Sequence, residues 1–430
     1  MPLHGSAPTV TLEASYLIFI NPSDGLVKAK NGLTGVIDFS GSDAATVIQA
    51  AINASDGTMM LKGDLGTLSV PLTLPSGRSN LIFEGNGRNK TRITAPLNQR
   101  AFNFVGVLTQ RFIVFRDMTV ISNGPTDALY FEGVNGVYMV NVEVDGGGIS
   151  FKNVTGIQLL NVLVWCFRTP SRANIRGLTF NGCTDVEVLV AVISGMGCDG
   201  IFLLDSSGRF IGCEVSNNGI ISSSVSRHGI NIYNSPNVLI HSSTIFENYG
   251  HGIFFYADAV GAHTCDSGIV TDNHILRNSK ASAGAYDGVR VTGDAIISNI
   301  LIGRNQIYDD AAPKTQAYGV TTLGLAVNTS IIDNIVDGNL TGGISTVGTG
   351  NIIRFNRGFV TENNGTSIGT GAQQTIPHGC NFTPTYDQVF LSERSTGLAV
   401  PYQSAPPDAI NIYVTATLNK TYNWRVSMNP

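Results

Sequence analysis

The chain has 430 residues, a formal net charge of -5 and only 13% charged residues, beside 49 Gly and 43% hydrophobic residues. That balance excludes a disordered chain, a long coiled coil and a nucleic-acid binder working through a basic face. Length alone suggests two or three domains, but a repeat architecture can grow as one unit because each repeat touches only its neighbours.

The N-terminal text MPLHGSAPTVTLEASYLIFI has no basic stretch leading into a long apolar run, so neither a signal peptide nor a membrane span is expected, and residues 1–40 read as an N-terminal segment. Asp43 then precedes AATVIQAAINA, where Val47, Ile48, Ala51 and Ile52 fall on one helical face. A capped amphipathic helix over 43–54 is expected, closing the open end of a repeat core.

From about residue 125 to 350 a phrase recurs: a polar residue, Gly, then alternating apolar residues. Examples are RGLTF at Arg176, DGIFLL at Asp199, HGINIY at His228, HGIFFY at His251, DGVRVT at Asp287 and YGVTTL at Tyr318. The glycines at 148, 177, 200, 229, 252, 288 and 319 are spaced by 29, 23, 29, 23, 36 and 31 residues. Short strands at this period, punctuated by Gly and Asn that tolerate left-handed turns, must stack to bury a face. The period is too short for propeller blades. The predicted fold is all-β: a right-handed parallel β-helix over 41–365 with its N-terminal capping helix, followed by a small C-terminal β domain over 366–430. Within that domain, Asp408 to Met428 reads as a hairpin pivoting on Leu418, Asn419 and Lys420.

The capping helix, the following VPLTLPSGRSNLIFEGNGRNKTRI and the repeated phrases together resemble the pectate-lyase-like superfamily of right-handed β-helices over roughly residues 20 to 360. The resemblance implies a polysaccharide lyase, an epimerase or a phage tailspike. The QQTIPHGCNFTP phrase is similar to small β domains appended to phage tail and fibre proteins. Two signatures of the superfamily are absent: the tyrosine and Asp-Pro-His pattern of mannuronan epimerases and the Trp-Ile-Asp-His phrase of typical pectate lyases.

Alternation assigns the faces. The first apolar residue after each Gly points inward, so Ile201, Leu203, Ile230, Ile232, Ile253, Phe255, Val289 and Val291 belong to the core. The outward columns then carry Thr179, Phe202, Asn231, Phe254, Arg290 and Thr321, and beside them Leu204, Tyr233, Tyr256 and Thr292. Phe202, Tyr233, Phe254 and Tyr256 form an aromatic strip that suits either a linear polysaccharide or burial in a homotrimer.

The residue before each Gly makes a further column: Arg176, Asp199, His228, His251, Asp287 and Tyr318. Asp199 and Asp287 are candidate catalytic carboxyl groups, although a turn's preference for polar residues also accounts for Asp at these places. The two His on successive rungs could be proton-transfer groups, stacked structural turn residues or, with their Asp neighbours, metal ligands. For a lyase, Arg290 or Arg227 would neutralise a uronate, His228 or His251 would abstract the proton, and Tyr256 or Tyr233 would protonate the leaving oxygen. For an inverting hydrolase, Asp205 and Asp258 would lie about 10 Å apart across two rungs. Arg176 and Tyr318 are expected to bind substrate at the ends of the strip. No cofactor is required by any of these patterns, although Ca²⁺ could be held by Asp266, Asp309 or Asp310. The six Cys lack a C-x-x-C pair and read as buried thiols. The functional expectation is a polysaccharide-binding and polysaccharide-degrading protein, lyase or hydrolase, of tailspike type; the alternative is a non-catalytic virion fibre or adhesin. Its place would be extracellular or on a virion surface, with no nucleic-acid or membrane partner.

Overall fold

The computed structural model describes residues 14–55, 57–75, 78, 80–106, 111–166, 175–220, 227–260, 264–394 and 401–428. The first residues of the N-terminal text lie outside this set. Its apolar run is the strand Tyr16–Ile20, which pairs antiparallel with Val27–Asn31 and parallel with Gly57–Lys62, so the N-terminal segment joins the sheet that follows it. Among the described residues no helix is long and apolar enough to cross a membrane.

The helix Ala44–Ala54 begins at Asp43, whose carboxyl accepts the N–H groups of Ala45 and Thr46. Burial opposes ionisation of that carboxyl, but hydrogen bonds from Thr46 and Ser69 and the two N–H groups outweigh it and hold its pKa at about 2. Val47, Ile48, Ala51 and Ile52 are buried and continue the core of the coil.

Beyond the helix the chain winds as a right-handed parallel β-helix. One wall is an eleven-stranded parallel sheet running from Leu72–Thr73 to Gly342–Thr346. Its register is regular: Thr179, Phe202, Asn231, Phe254, Arg290 and Thr321 are consecutive partners, and so are Asn181, Leu204, Tyr233, Tyr256 and Thr292. Successive strands therefore differ by one rung of about 4.8 Å. Inside, Phe131, Phe151 and Phe180 stack with centroids 5.3 and 5.2 Å apart.

The other two walls merge into a 23-stranded sheet. A single left-handed residue turns the chain from one of these walls to the other at each rung: Asp117, Asn141, Asn161, Val190, Gly212, Ser242, Asp272, Arg304, Asp333 and Phe355. Asn and Asp tolerate this conformation, whereas β-branched Val190 at φ 53 is strained. Two corners of the coil, one beside these turns and one beside the left-handed Asn217, Glu247 and Arg277, are filled by amide ladders. One runs Asn218, Asn248, Asn278, Gln316, Asn339, and another runs Asn273, Asn305, Asn334, Asn356. In each, a side-chain oxygen accepts from the rung before while the amide nitrogen satisfies a buried carbonyl, which is how a polar corner survives inside the core.

The glycines of the recurring phrase serve a different purpose from the one expected. None of Gly177, Gly200, Gly229, Gly252, Gly288 and Gly319 has a left-handed backbone. A Cβ on Gly229 would instead meet the Gly252 carbonyl oxygen at 2.6 Å, and one on Gly252 the Gly288 oxygen at 2.6 Å. Close approach of successive rungs excludes any side chain there.

Antiparallel pairing takes over at Glu362–Ile368, slightly ahead of the expected boundary, and builds two three-stranded sheets around Ile412, Val414, Tyr422, Trp424 and Val426. The expected hairpin is not one. Asn411–Thr415 pairs with Gln373–Pro377, while Thr421–Ser427 pairs with Glu362–Ile368, so the turn at Asn419 carries the chain between sheets. Gly369 explains the crossing: its N–H donates to the Lys420 carbonyl, and the Asn419 N–H donates to the Gly369 carbonyl, tying the turn to a third segment.

Candidate functional site

On the outer face of the eleven-stranded sheet lies a pocket of 540 Å³. Its floor is Phe254 with Asn231. One side carries His228, His251 and Tyr286, the other Tyr233 and Tyr256. Arg176 with Phe202 closes one end and Arg290 with Thr292 the other. The rings form a continuous cluster: Phe254 lies 4.5 Å from His228 and 5.2 Å from His251, Tyr286 meets His251 edge-on at 5.0 Å, and Tyr233 lies 5.2 Å from Tyr256.

The polar column beneath is a side-chain-to-backbone ladder. The His228 N–H donates to Asp199 Oδ1 at 2.9 Å, the His251 N–H to His228 Nδ1 at 3.1 Å, the Asp287 N–H to His251 Nδ1 at 2.8 Å, and the Tyr318 N–H to Asp287 Oδ1 at 3.2 Å. Asp and His alternate freely because each places an acceptor at the δ position. With Nδ1 accepting, both imidazoles are neutral and carry their proton on Nε2. The 3.7 Å approach of His251 Nδ1 to Asp287 Oδ2 is therefore no ion pair.

Electrostatics agrees with that assignment. Burial pushes His228 down to about 4, with Arg290 adding to the effect and Asp199 opposing it. Burial, His228 and Arg290 together hold His251 well below its ordinary value. Burial raises the Asp287 carboxyl to about 6, although the Tyr318 N–H and Arg290 act against it. The proton-transfer role expected for His228 and His251 meets a physical obstacle, since a base would have to give up a buried backbone hydrogen bond.

The remaining expected site residues are placed as follows. Asp199 is fully buried and also receives Asn231 Nδ2 at 3.2 Å and Arg176 Nε at 3.4 Å. The Arg176 guanidinium lies 3.8 Å over the Phe202 ring. Tyr233 donates to Asp258 at 2.7 Å, and Tyr256 donates to Asp294 at 2.6 Å. The bond to Asp258, then burial, raises the Tyr233 phenol to about 12, and the bond to Asp294 likewise raises Tyr256. Asp205 stands apart: it is a left-handed turn residue one step beyond the Leu204 position and does not line the pocket. Tyr318 also lies outside the lining and serves the ladder through its backbone.

Asp294 and Tyr286 escaped the sequence reading. Asp294 stands two residues after Thr292 as Asp258 stands two after Tyr256, and because Ala257 and Gly293 are register partners the two carboxyl groups belong to adjacent rungs. That equal offset was the available signal. Tyr286 arrives from a long connection without periodicity, where no signal existed.

The carboxyl groups considered for Ca²⁺ have other partners. Asp309 is buried and accepts the N–H groups of Ala311, Thr315 and Gln316, Asp266 accepts the Ser298 hydroxyl, and Asp310 pairs with Arg277 at 3.3 Å. All six cysteines are buried thiols.

A family model described as "Periplasmic copper-binding protein (NosD)" matches residues 114–343, more than half of the 430-residue chain and all of the rungs that build this pocket. The chain belongs to the NosD family. No curated protein matches it. Solved structures sharing the β-helix include the A-module of the Azotobacter vinelandii mannuronan C-5 epimerase AlgE4, at 17% identity and TM-score 0.48 over 73% of this chain and 94% of that one. The tailspike gp49 of Pseudomonas phage LKA1 matches at 10% identity and TM-score 0.48 over 89% of this chain and 92% of that one. Tailspike protein 3 of bacteriophage CBA120 matches at 13% identity and TM-score 0.50; 71% of this NosD-family chain is covered but only 48% of the tailspike. At these identities the likeness is one of fold.

Proposed function

We propose that this NosD-family chain binds a linear anionic polysaccharide along the outer face of the eleven-stranded sheet, outside the cytoplasm. The observation that carries the reading is the pairing of two guanidinium groups, Arg176 and Arg290, with an aromatic floor in one pocket. Aromatic faces pack on the C–H faces of sugar rings, and guanidinium forks pair with carboxylates. The column runs along the coil, as a linear chain would. A concave pocket with charged ends suits a ligand better than the flat contact a neighbouring subunit would make.

One observation favours hydrolysis as a second reading. Asp258 and Asp294 stand just outside the lining but accept hydrogen bonds from the hydroxyls of its Tyr233 and Tyr256, and they occupy adjacent rungs, whose pitch of about 4.8 Å is close to the roughly 5–5.5 Å between carboxyl groups in retaining glycosidases. One would attack the anomeric carbon while the other protonates the departing glycosidic oxygen; water then releases the sugar and restores both groups. Elimination is the weaker alternative, because His228 and His251 already use Nδ1 as an acceptor.

The family description names copper, and the residues here do not fit a copper centre. The stacked pair His228 and His251, with centroids 5.1 Å apart, has committed one nitrogen of each ring to a backbone N–H. Among the described residues no group of three His, Cys, Asp or Glu side chains converges. No step is therefore routed through a metal.

The test is a panel of acidic and neutral polysaccharides, scored for binding, for new reducing ends and for absorbance of unsaturated uronates. The expected result is binding of acidic chains that Arg176→Ala or Arg290→Ala weakens at least tenfold, as for loss of a charge-assisted hydrogen bond of roughly 1.5–3 kcal/mol. Equal binding of neutral chains, or binding indifferent to both variants, overturns the reading. Reducing ends that vanish in Asp258→Asn and Asp294→Asn while binding persists support hydrolysis; unsaturated products refute it.

A further inference from the structure

The polar column beneath the pocket continues beyond Arg176 toward the N-terminus. Leu178, Ile149, Leu129 and Phe102 are successive register partners, and two residues before each stand Arg176, Gly147, Asp127 and Arg100. A second pocket, of 460 Å³, opens at this end, lined by Arg100, Asn103, Asp127 and Ile175 and by the turns carrying Pro71 and Pro125. Its outward column is the same one: Asn103, Tyr130, Ser150, Thr179 and Phe202 are consecutive partners.

The two pockets share a local design. The Arg100 guanidinium lies 3.7 Å over the Tyr130 ring, as that of Arg176 lies 3.8 Å over Phe202. Each arginine has a carboxyl group nearby, the partly buried Asp127 in one case and the fully buried Asp199 in the other. Asp127 also feels both arginines: burial raises its carboxyl, the Ser150 hydroxyl donates to it at 2.7 Å, and Arg100 and Arg176 both draw its pKa down. Between Tyr130 and Phe202 the outward column carries only Ser150 and Thr179, so nothing bulky from that column separates the pockets. Arg100 and Arg176 stand three rungs apart, about 14 Å along the coil.

We infer that the pocket of Arg100 and Asn103, whose arginine is seated on the Tyr130 ring beside it, is a second subsite for the same anionic chain, so that the ligand is held as an extended oligomer spanning both pockets along one face. This subsite rests on the anionic-glycan reading of the Arg176 to Arg290 pocket. Two linked sites turn the second contact into an intramolecular one, which raises affinity for a ligand long enough to reach both and leaves a short ligand unaffected.

The probe is a size-graded series of oligogalacturonates and oligomannuronates, titrated calorimetrically against the full chain, with circular dichroism to verify folding of each variant. The expected result is an affinity that steps up by about tenfold or more once the oligomer spans both pockets, the worth of one charge-assisted contact. Arg100→Ala and Tyr130→Ala should each remove the step while short oligomers bind as before at the Arg176 to Arg290 pocket. Affinity independent of length, or a step retained in both folded variants, overturns the second subsite and leaves the first intact. Failure of every oligomer to bind overturns the anionic-glycan reading itself and the subsite with it.

Discussion

His251 accepts the backbone N–H of Asp287 at its Nδ1 across one rung, at 2.8 Å, and that bond decides what the imidazole can do. Its value is structural. His251→Ala leaves a buried N–H without its acceptor, a loss of about 1–3 kcal/mol. His251→Asn places an oxygen at the same δ position and should recover most of it. Urea denaturation of the three proteins checks this; an Asn variant as unstable as the Ala variant would show that the ladder bond is not what the ring supplies.

The same ladder sets an acid limb. His228 titrates near 4 in the folded chain against an ordinary 6.5, so as pH falls from 6.5 to 4 the unfolded chain takes up a proton that the folded chain refuses, and stability falls. His251 acts in the same direction. Asp287 acts oppositely: it keeps its proton up to about 6 rather than 3.8, so its contribution is present below 3.8 and lost as pH rises to 6. The drop in Tm between pH 7 and pH 5 should therefore be smaller in His251→Asn than in the parent chain and larger in Asp287→Asn. A reversed order would contradict the signs.

Ligand binding should be salt-sensitive. Arg176 and Arg290 are partly exposed, so added salt screens their attraction for an anionic chain over a Debye length of about 8–10 Å. The parent chain should lose affinity steadily with salt, and the double variant Arg176→Ala, Arg290→Ala should bind weakly with a shallower slope. Phe254→Ala, at the floor, should weaken binding about tenfold without changing the slope, since stacking carries no net charge. Equal slopes in parent and double variant would remove the arginines from recognition.

Asn248 shows how little freedom the amide ladders leave. It is fully buried, accepts from the Asn218 N–H and Nδ2, and donates Nδ2 to the Val215 carbonyl and Asn278 Oδ1. Asn248→Asp keeps the shape but turns two donated bonds into facing oxygens and buries an acid. It should therefore destabilise more than Asn248→Ala, each by several kcal/mol on the scale of about 1–3 kcal/mol per abandoned buried partner. Thermal melts of the pair decide it, and an Asp variant more stable than the Ala variant would overturn the account.

At the corner column, Val190 is a β-branched residue at φ 53 between Asn161 and Gly212. Val190→Asn relieves that strain and brings an amide beside Asn161, which already donates to Asn141 at 2.7 Å. A gain of about 1 kcal/mol is expected, on the scale of the left-handed penalty of roughly 1–2 kcal/mol. A lower Tm for the variant would mean that the Val190 backbone is not strained as its dihedral implies.

The β-helix was legible because a coil of this kind repeats its inward residues: Ile201, Ile230, Ile253 and Val289 are written at one position of one phrase and occupy one column of one sheet. The outward columns follow from the same alternation. What did not follow was the task of each column. Gly229 and Gly252 read as turn residues, but close backbone approach requires them. For His228 and His251 residue type alone left proton transfer, a structural turn role and metal binding open, while their repetition alongside Asp199 and Asp287 signals a shared δ acceptor. Arg100 and Asp127 were missed because Ala101 and Ala128 stand where later rungs have Gly, so a search for polar-Gly-apolar text passes over both. Loops such as the one bearing Tyr286 lack any period from which a position could be read.

The glycine column reaches from Gly177 to Gly343 with each carbonyl oxygen occupying the space where the preceding rung's side chain would stand. Rung spacing under the pocket is thereby set by main chain against main chain and owes nothing to the groups pointing outward. Phe202, Phe254 and Arg290 can accordingly be exchanged in sequence without shifting the frame that displays them. The protein presents a replaceable row of side chains at a fixed pitch, so a change of ligand in this lineage, or by design, can be written one outward residue at a time.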